Sequence, residues 1–551
     1  MGVPVFDIET TGWSLPISVG FYTGEDYYEF MRESESDDVI WRFLTFLKQF
    51  PGIKLYAHCA AKFDNKFILH SLCQHDEKIS LEAGLAKLKW VEPNISFEDS
   101  YLLVPMSLEK ACKLFEVGEK GEWKHDLGLK PWEMGSKLGT FRAYQKSDCI
   151  ILSQILMKLA ELFALNFGVL PSISISTTAA KAFDKCFYDL RSVKANSEFD
   201  EFIRLATYGA RNEVYSRYGE NINHYDVYNM FVSCYDIPVP VGRMRWIKPN
   251  IDRGTLAEVF VKVPKDRYIG PLPYRHERQL MFPVGEWGPD WYDMNEIRNA
   301  VNQGVDISIR RQLCCDEEPI LKEFGEFVGK LRKSAHSYYW KLFGLSLSGK
   351  FGQSRWRDSV RHVTDIKDMR GYFPLDKEEL YFQTKEYFGG EAPYIKPAIS
   401  MRIRAEARIR HLNYLLEAHQ KHKLYYCDND SVFTTGELPY SINPQSGELA
   451  YLGKAERGYF IRQKLYGYVS EGSLIQRSAG YSDLKLTEDD FKGLLEGKEI
   501  MFLDGNLPDY NKIMKEKELK WLERSRCLRD TYASNRVTVG LETEPICLPL
   551  K

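Results

Sequence analysis

Four carboxylates in the N-terminal third of the chain have the types and spacing that could hold divalent metal ions. Asp7 and Glu9 end a short apolar run, and alternate residues of a strand face the same side. Asp64 opens a helical pattern after a second strand-like run, while Tyr144 and Asp148, spaced i, i+4, share one helix face. Four acids and a tyrosine suit two-metal hydrolysis of a phosphodiester, in which one ion activates water and the other stabilises the leaving oxygen. The tyrosine would orient the attacking water.

A second set of acids follows residue 200. Asp226 lies in a strand-like run, and Asp428 and Asp430 flank Asn429 at a tight turn between two further strand-like runs. Alone, this Asp-Asn-Asp sequence is more often a simple polar turn. Three carboxylates at the ends of adjacent strands would repel one another, and divalent metal would relieve that repulsion. A site made only of oxygen ligands favours Mg²⁺ or Mn²⁺ over zinc.

Basic residues lie between these acids in the sequence. Arg332 precedes a basic helical pattern that begins at Lys341 and ends at glycine. Both side chains could contact the triphosphate of an incoming nucleotide. Without the neighbouring acids, a solvated basic helix face is an equally good interpretation.

The first set of residues resembles, in order, the three exonuclease motifs of the four-carboxylate nucleases that have a tyrosine in the third motif. The resemblance implies a ribonuclease-H-like domain with two metal ions, held by Asp7, Glu9, Asp64 and Asp148. It also implies contacts to single-stranded DNA from Phe63, Ser100, Tyr101 and, through a loosely matching Lys120-Gly121-Glu122-Trp123 motif, from Lys120. Cys59 stands where the second motif usually has asparagine.

The second set resembles motifs A, B and C of the family B DNA polymerases. The resemblance implies that Asp226 and Asp430, with the backbone of Val227, hold two metal ions, and that Asp428 supports them. The primer 3′-hydroxyl would then attack the α-phosphate in line, and pyrophosphate would leave. Further matches imply nucleotide contacts from Val227, Phe231, Arg332, Lys341 and Ser346, and DNA contacts from Tyr208, Gly209, Ala210, Lys464 and Tyr466.

Motif B departs from the usual Asn-Ser-x-Tyr-Gly pattern. Leu345 replaces the asparagine and Ser348 replaces the tyrosine, while Phe231 keeps an aromatic ring after motif A. We expect the ring to exclude ribonucleotides. The loss of the motif B tyrosine predicts lower fidelity or altered sugar discrimination, which Ser348→Tyr should improve.

Two segments, residues 237–330 and 353–393, exceed what a bare palm and fingers need. Insertions at these places resemble those of the protein-primed polymerases. The resemblance implies that the first contacts a priming terminal protein and that the second encircles DNA, giving processivity and strand displacement. A conventionally primed family B polymerase is the nearest alternative, and it would not need a protein hydroxyl as primer.

The bulk composition sets wider limits. The chain has 551 residues, of which 44% are hydrophobic and 27% charged, and this allows about three or four domains. Its net charge of −3 argues mildly against a nucleic-acid partner, unless carboxylate clusters mask local basic surface. No apolar run approaches the ~20 residues of a membrane span, and no signal peptide begins the chain. We therefore expect an intracellular monomer without a membrane partner, and its scattered cysteines are expected to be free thiols.

The predicted fold class is multidomain α/β, with a ribonuclease-H-like exonuclease domain and a right-hand family B polymerase domain. Its predicted segments are an exonuclease (1–170), linker and palm with motif A (171–236), a first insertion (237–330), fingers (331–352), a second insertion (353–393), palm with motif C (394–455) and a thumb (456–551).

Two other functions stay open on the sequence alone. One is an exonuclease with a degenerate polymerase half that clamps DNA, which the motif B departures favour. The other is a non-enzymatic initiation scaffold that binds a priming protein. The gathering of seven metal-type carboxylates argues against the scaffold, because a pure binding protein has no need to place acids where they repel.

Overall fold

The computed structural model describes residues 2–121, 123, 128–277, 279–387, 393–481, 484–530 and 535–549. Four predicted regions extend outside these ranges: the exonuclease segment at residues 1, 122 (in the lysine motif) and 124–127, the first insertion at residue 278, the second insertion at residues 388–392, and the thumb at residues 482–483, 531–534 and 550–551. Each cysteine is a free thiol, as the sequence predicts.

The N-terminal part is a mixed sheet flanked by helices. Its strands are β1 (Val5–Thr11), β2 (Leu15–Tyr22), β3 (Tyr27–Met31), β4 (Lys54–Ala57), β5 (Ile79–Glu82), β6 (Lys87–Trp90) and β7 (Ile95–Asp99), and its helices are α1 (Val39–Leu47), α2 (Asp64–Gln74), α3 (Leu108–Phe115) and α4 (Leu138–Phe167). β1, β4 and β7 are parallel neighbours at the centre. Val5, Phe6 and Ile8 are buried on both faces of β1 because helices cover both sides.

One described helical stretch, Gly135–Phe167, is long and apolar enough to cross a membrane by length and composition alone. In the fold this stretch includes α4, which buries Phe141, Leu152 and Phe163 inside the protein. The same helix carries Tyr144 and Asp148. We therefore assign it as a core helix.

Two helices connect the N-terminal part to the first two strands of the central sheet, and a short helix follows these strands. The elements are α5 (Ile175–Cys186), α6 (Asp200–Leu205), β8 (Asn212–Val214), β9 (Tyr218–Val227) and α7 (Met230–Ser233). Ser174 begins α5 as its N-cap, since its hydroxyl accepts a hydrogen bond from the Thr177 amide at 3.2 Å.

The first predicted insertion forms a sheet of its own. It contains β10 (Val239–Pro240), β11 (Arg245–Ile247), β12 (Leu256–Val263), β13 (Tyr274–His276), β14 (Gln279–Met281), β15 (Val284–Asp293), α8 (Met294–Asn302), β16 (Asp306–Cys314) and β17 (Glu317–Glu318). β12 pairs with both β15 and β16, and their inward residues form a separate apolar cluster.

Two helices and a three-stranded unit follow. They are α9 (Lys322–Leu331), α10 (Ser337–Phe351), β18 (Trp356–His362), β19 (Phe373–Pro374) and β20 (Tyr381–Tyr387). β18 pairs with β5, so the second predicted insertion extends the N-terminal sheet. Val360 and Tyr381 are buried in the apolar core of that sheet.

The central sheet is completed by later strands. These elements are α11 (Pro397–Lys421), β21 (Leu424–Asp428), β22 (Ser431–Thr434), β23 (Leu449–Arg462), β24 (Leu465–Ser470), β25 (Ser473–Ser478) and α12 (Glu488–Leu495). The strand order is β25-β24-β23-β9-β22-β21-β8, and each pairing is antiparallel. Asp226 on β9 therefore lies beside the β21–β22 hairpin.

The C-terminal elements pack against different parts of the protein. They are β26 (Ile500–Asn506), α13 (Tyr510–Glu516), β27 (Leu522–Leu528), β28 (Arg536–Val539), β29 (Glu542–Pro545) and β30 (Cys547–Leu548). α13 buries Ile513 and Met514 in the N-terminal core, while β30 pairs with β15 of the first insertion. The predicted limits at 330/331 and 455/456 fall inside α9 and β23.

Candidate active sites

Three elements position the N-terminal carboxylates. β1 carries Asp7 and Glu9, Asp64 begins α2, and α4 carries Tyr144 and Asp148. The structure thus brings together the five residues that the sequence predicts for this site.

A buried glutamine fixes α4 against β1. Ser18 donates a hydrogen bond to Gln145 Oε1 at 2.8 Å, and Gln145 Nε2 donates to the backbone carbonyl of Asp7 at 3.1 Å. Sequence reasoning missed Gln145, because only its position between Tyr144 and Asp148 could have drawn attention to it.

The carboxylates of this site raise one another's pKa. Burial raises the pKa of Asp7 well above its ordinary value, and the charges of Glu9, Asp64 and Asp148 raise it further. Burial also raises the pKa of Asp64 to about 7, although its Oδ1 accepts a hydrogen bond from the Ile8 amide at 3.0 Å. The arrangement therefore holds carboxylates that ionise with difficulty in the absence of a cation.

Lys120 and Tyr144 complete the site around Asp148. The Lys120 ammonium lies 3.4 Å from Asp148 Oδ2 and 5.8 Å from the centre of the Tyr144 ring. The Tyr144 hydroxyl also donates a hydrogen bond to Asp148. Lys120 thus contacts the carboxylate cluster directly, and its predicted DNA contact stays a prediction.

The donor atoms of this site fit a divalent cation. Asp7 Oδ2 and Asp148 Oδ1 are shielded from water and accept no hydrogen bond from the described residues. Such oxygens are suitable ligands for Mg²⁺ or Mn²⁺. Within the described ranges, no three His, Cys, Asp or Glu side chains already have ligating geometry, so the carboxylates would have to close around the ions.

The residues predicted to grip single-stranded DNA lie beside this site. Ser100 is fully buried, and its hydroxyl donates to the Ala57 carbonyl at 3.0 Å, so it supports the loop. Asp99, which sequence reasoning missed, accepts hydrogen bonds from the Ala61 and Tyr101 amides at 3.0 and 2.8 Å and raises the pKa of Asp64.

Two aromatic rings and an unusual backbone mark the same loop. Phe63 precedes α2 and packs edge-to-face on Phe67, and the Lys62 ammonium lies 5.7 Å from the centre of the Tyr101 ring. Cys59 has φ of 62°, a left-handed conformation in which asparagine is far commoner than most residues.

The second site is formed by β9 and the β21–β22 hairpin. Asn429 turns the hairpin with φ of 59°, and its amide donates to the Arg211 carbonyl at 2.9 Å. The Val227 amide donates to the Asp430 carbonyl at 2.8 Å, and Asp226 faces Ser431 across the strands. Asp226, Asp428 and Asp430 are therefore adjacent at one edge of the sheet.

Burial and the neighbouring charges together determine the pKa values of these acids. Burial raises the pKa of Asp430 to about 7, and the charges of Asp226 and Asp428 add to this effect. Burial likewise raises the pKa of Asp226, whereas Lys341 and Arg332 lower it. α10 and the end of α9 thus bring two cations to the carboxylates, as a triphosphate site requires.

Arg332 is held by an aromatic ring. Its guanidinium lies 4.3 Å from the centre of the Tyr228 ring, two residues beyond Asp226. Its Nε and Nη1 atoms are shielded from water and donate no hydrogen bond within the described part of the chain. Arg332 therefore keeps donors available for a phosphate group.

Lys464 forms an ion pair with Asp428, and its amide donates to the Tyr426 hydroxyl at 3.0 Å. Tyr466 is buried, with its ring centre 4.7 Å from that of Tyr426. The structure thus places Lys464 beside the acids and Tyr466 in the packing beneath them.

The Tyr208-Gly209-Ala210 segment lies between the hairpin and the first insertion. Tyr208 is buried and stacks on Tyr292 with ring centres 5.3 Å apart. Its carbonyl accepts a hydrogen bond from Arg408 at 2.9 Å. Tyr208 therefore joins the sheet of the insertion to α11.

Motif B differs from the expectation at Ser348. Its side chain is only 6% exposed, and its hydroxyl donates to the Leu345 carbonyl at 3.0 Å. Tyr235, whose own hydroxyl donates to the Gly344 carbonyl at 2.7 Å, lies beside it. Tyr235 occupies the space beside this face of α10, so Ser348→Tyr would clash with it. The single substitution is therefore not expected to restore fidelity.

The other motif B and motif A residues are partly buried. The Ser346 hydroxyl donates to the Phe343 carbonyl at 2.8 Å within α10, and Phe231 packs on the apolar core from α7. These contacts do not direct Ser346 or Phe231 toward an open pocket. The predicted nucleotide contacts of both residues therefore stay predictions.

Solved structures have the same overall fold. The chain is similar to Phi29 DNA polymerase complexed with primer-template DNA and incoming nucleotide substrates, with a TM-score of 0.72 and 15% identity over 95% of this chain and 99% of that chain. Phi29 DNA polymerase complexed with single-stranded DNA gives a TM-score of 0.71 at 14% identity, over 96% of this chain and 100% of that one. The predicted fold class, an exonuclease domain with a right-hand polymerase domain, is confirmed.

The family is also established by sequence. The family described as DNA polymerase type B, organellar and viral, matches residues 51–132 and 138–380, which together exceed half of the chain. The protein therefore belongs to the type B DNA polymerases of organelles and viruses, and the predicted family resemblance is confirmed.

Curated relatives come from fungi. A probable DNA polymerase of Neurospora intermedia is 24% identical over 79% of this chain and 54% of its own length. Those of Podospora anserina and Agaricus bitorquis are 22% and 23% identical, over 78% and 81% of this chain and 42% and 68% of their lengths. The chain thus spans about half the length of the first two relatives.

Proposed function

We propose that the protein is a template-directed DNA polymerase that extends a primer by two-metal nucleotidyl transfer. The observation that carries the proposal is the meeting of Asp226 and Asp430 at one sheet edge, where burial raises the pKa of both and Lys341 faces them. The Phi29 DNA polymerase structure of the same fold holds primer-template DNA and incoming nucleotide, which are the ligands proposed here.

The side chains of this site have separate tasks. Asp226 and Asp430, with the Val227 backbone, hold two Mg²⁺ or Mn²⁺ ions, which when bound activate the primer hydroxyl and stabilise the leaving oxygen. Lys341 and Arg332 neutralise the triphosphate and orient its α-phosphate toward the primer. Phe231 lies under the sugar, and Ser346 contacts the nucleotide from α10.

The N-terminal site is proposed to be a 3′–5′ proofreading exonuclease. Asp7, Glu9, Asp64 and Asp148 hold two divalent ions, and the Tyr144 hydroxyl orients the attacking water. Lys120 balances the charge of Asp148, at 3.4 Å. Phe63, Ser100 and Tyr101 line the approach of the single-stranded primer end, with Ser100 acting through the loop it supports.

Protein priming is proposed for initiation. The first insertion would contact a terminal protein, and the second would help to encircle DNA and give strand displacement. The fixed attachment of the first insertion to α11, through Arg402–Asp293 at 2.6 Å and Arg408–Glu296 at 2.7 Å, supports a rigid docking surface. Gly209, Ala210 and Lys464 are the proposed direct DNA contacts, and the buried Tyr208 and Tyr466 are proposed to support them from beneath. The protein is also proposed to act as a monomer inside a host cell.

The test uses a 5′-labelled primer–template with Mg²⁺, with and without nucleotides. We expect Asp430→Ala to lose extension and keep shortening, and Asp7→Ala to do the reverse. Asp489→Ala, whose side chain is 90% exposed, is the matched control and should keep both. Shortening without extension in the unaltered protein would contradict the polymerase proposal and favour an exonuclease with a degenerate polymerase half.

A second assay tests priming. The protein is given template ends without a primer, one labelled nucleotide and fractions from its host. Label that stays on a protein through denaturation and is released by phosphodiesterase supports protein priming. Extension of nucleic-acid primers without any such product favours the conventionally primed alternative.

A further inference from the structure

A groove leads away from the second site along α9. It has a volume of about 480 Å³ and begins at Tyr228, two residues beyond Asp226. One wall is α9, and the opposite wall is formed by α7 with the loop at residues 444–446. Asn229 Nδ2 donates to Ser446 Oγ at 3.2 Å and holds that loop in place.

The α9 wall is basic. Lys322, Lys330 and Lys333 line the groove, and none of them forms an ion pair with a carboxylate in the described ranges. Two carboxylates also line it, but Asp236 is paired with Arg410 at 2.8 Å, which leaves Glu326 as the opposing charge. The groove therefore has an excess of positive charge.

Gly329 keeps the groove open. A Cβ atom added at Gly329 would have no atom within 4 Å, whereas one added at Gly325 would lie 3.2 Å from Tyr235 Cβ. Glycine inside a helix is destabilising relative to alanine, so it usually has a packing reason. No described neighbour supplies that reason at Gly329, and a larger side chain there would narrow the groove.

The lysines are too far apart to bind one triphosphate together. Lys322 and Lys330 are eight residues apart on α9, which separates them by about 12 Å along the helix. They form a track that leads outward from the catalytic acids. Arg332 and Lys341, in contrast, face Asp226, where the triphosphate is proposed to lie.

We propose that this groove binds pyrophosphate and guides its release, an inference that rests on the proposed polymerase function. When the primer 3′-oxygen bonds to the α-phosphorus, the bond from that phosphorus to the bridging oxygen breaks. The bridging oxygen keeps the electron pair and leaves with the β- and γ-phosphates as pyrophosphate. The ammonium groups along α9 bind this anion in turn as it moves away from Asp226 and Asp430.

Direct binding gives the first readout. Inorganic pyrophosphate is titrated into the full-length protein by calorimetry, and its inhibition of primer extension is measured beside the KM for nucleotide. The paired change Lys330→Gln with Lys333→Gln should weaken pyrophosphate binding about fivefold, and Glu326→Gln should tighten it about twofold. Gly329→Met, whose Cβ would have no atom within 4 Å, should fold normally and also weaken binding.

Glu323→Gln is the matched control, because Glu323 lies on α9 outside the groove and its change of charge is the same. We expect the pyrophosphate affinity of Glu323→Gln to stay within about twofold of that of the unaltered protein.

An effect of Glu323→Gln equal to that of Glu326→Gln would overturn the inference in favour of a general charge effect. A parallel rise of nucleotide KM and pyrophosphate inhibition constant would also overturn it, since the lysines would then act on bound nucleotide. Pyrophosphate binding without any extension would contradict the polymerase proposal alone.

Discussion

The guanidinium of Arg332 lies 4.3 Å from the centre of the Tyr228 ring and bridges the end of α9 to the strand that carries Asp226. The Tyr228 backbone is fixed on both sides, because its amide donates to the Glu448 carbonyl at 2.9 Å and its carbonyl accepts from the Gly447 amide at 2.7 Å. The ring is therefore a rigid support that positions Arg332.

Removing this ring should weaken nucleotide binding. A cation–π contact of this kind contributes about 0.5–2 kcal/mol, so Tyr228→Leu should raise the KM for nucleotide about two- to thirtyfold. The kcat should fall less, because Asp226 and Asp430 are untouched. Steady-state extension with one nucleotide measures both constants.

Tyr228→Phe keeps the ring and is the control for this prediction. It should restore most of the affinity that Tyr228→Leu loses. An equal loss in both variants would mean that the hydroxyl, and not the stacked ring, supports nucleotide binding.

Ser348→Tyr should destabilise the protein. The new side chain would meet Tyr235, which fills the space beside α10, and overpacking of this kind costs about 1–3 kcal/mol. Urea unfolding should show the loss, while Ser348→Ala should stay within about 1 kcal/mol of the unaltered protein. Unchanged stability together with fewer misincorporations would restore the original expectation for motif B.

Sequence patterns located the reactive groups because each pattern is local. The Asp428-Asn429-Asp430 turn and the Tyr144–Asp148 helical spacing are set by neighbours in the chain, and both occur as expected. Asp99 and Gln145 were missed because their importance comes from contacts with Ala61 and Asp7, respectively, which are far away in the sequence.

Long-range pairings were likewise beyond local patterns. β18 joins the sheet at β5, and β30 joins the first insertion at β15, although hundreds of residues separate each pair in the sequence. The edge of a sheet can pair with any strand of suitable length. The alternation of apolar and polar residues along a strand therefore does not identify the strand with which it pairs. The dispersal of the C-terminal elements could not be predicted for this reason.

Divalent metal should stabilise the protein increasingly as pH rises. The pKa of Asp64 and that of Asp430 are about 7 in the folded protein, against about 4 in unfolded chains. The folded state thus binds more protons between these values, and without metal its stability should fall as pH rises from about 4 to about 7. Bound Mg²⁺ should offset the repulsion once the carboxylates ionise.

Thermal unfolding at pH 5 and pH 8, with Mg²⁺ or with a chelator, measures this effect. Asp64→Asn and Asp430→Asn should each reduce the gain from Mg²⁺ at pH 8, and the exposed Asp489→Asn should not. A Mg²⁺ effect that is the same at both pH values and in all variants would place ion binding elsewhere.

Arg408 should be among the residues whose loss destabilises the protein most. Its guanidinium forms two buried bonds of 2.7 Å with Glu296 and donates to the carbonyls of Tyr208 and Gly209 at 2.9 and 3.1 Å. Arg408→Met leaves Glu296 buried without its partner, which typically costs about 3–5 kcal/mol. Urea unfolding should show this loss, and the double change Arg408→Met with Glu296→Leu should recover part of it because no charge is then left buried.

Arg370→Met, at a pair in which Arg370 is 90% exposed, should cost less than about 1 kcal/mol. Similar losses for the buried and the exposed pair would mean that the first insertion is not held to α11 by these ion pairs.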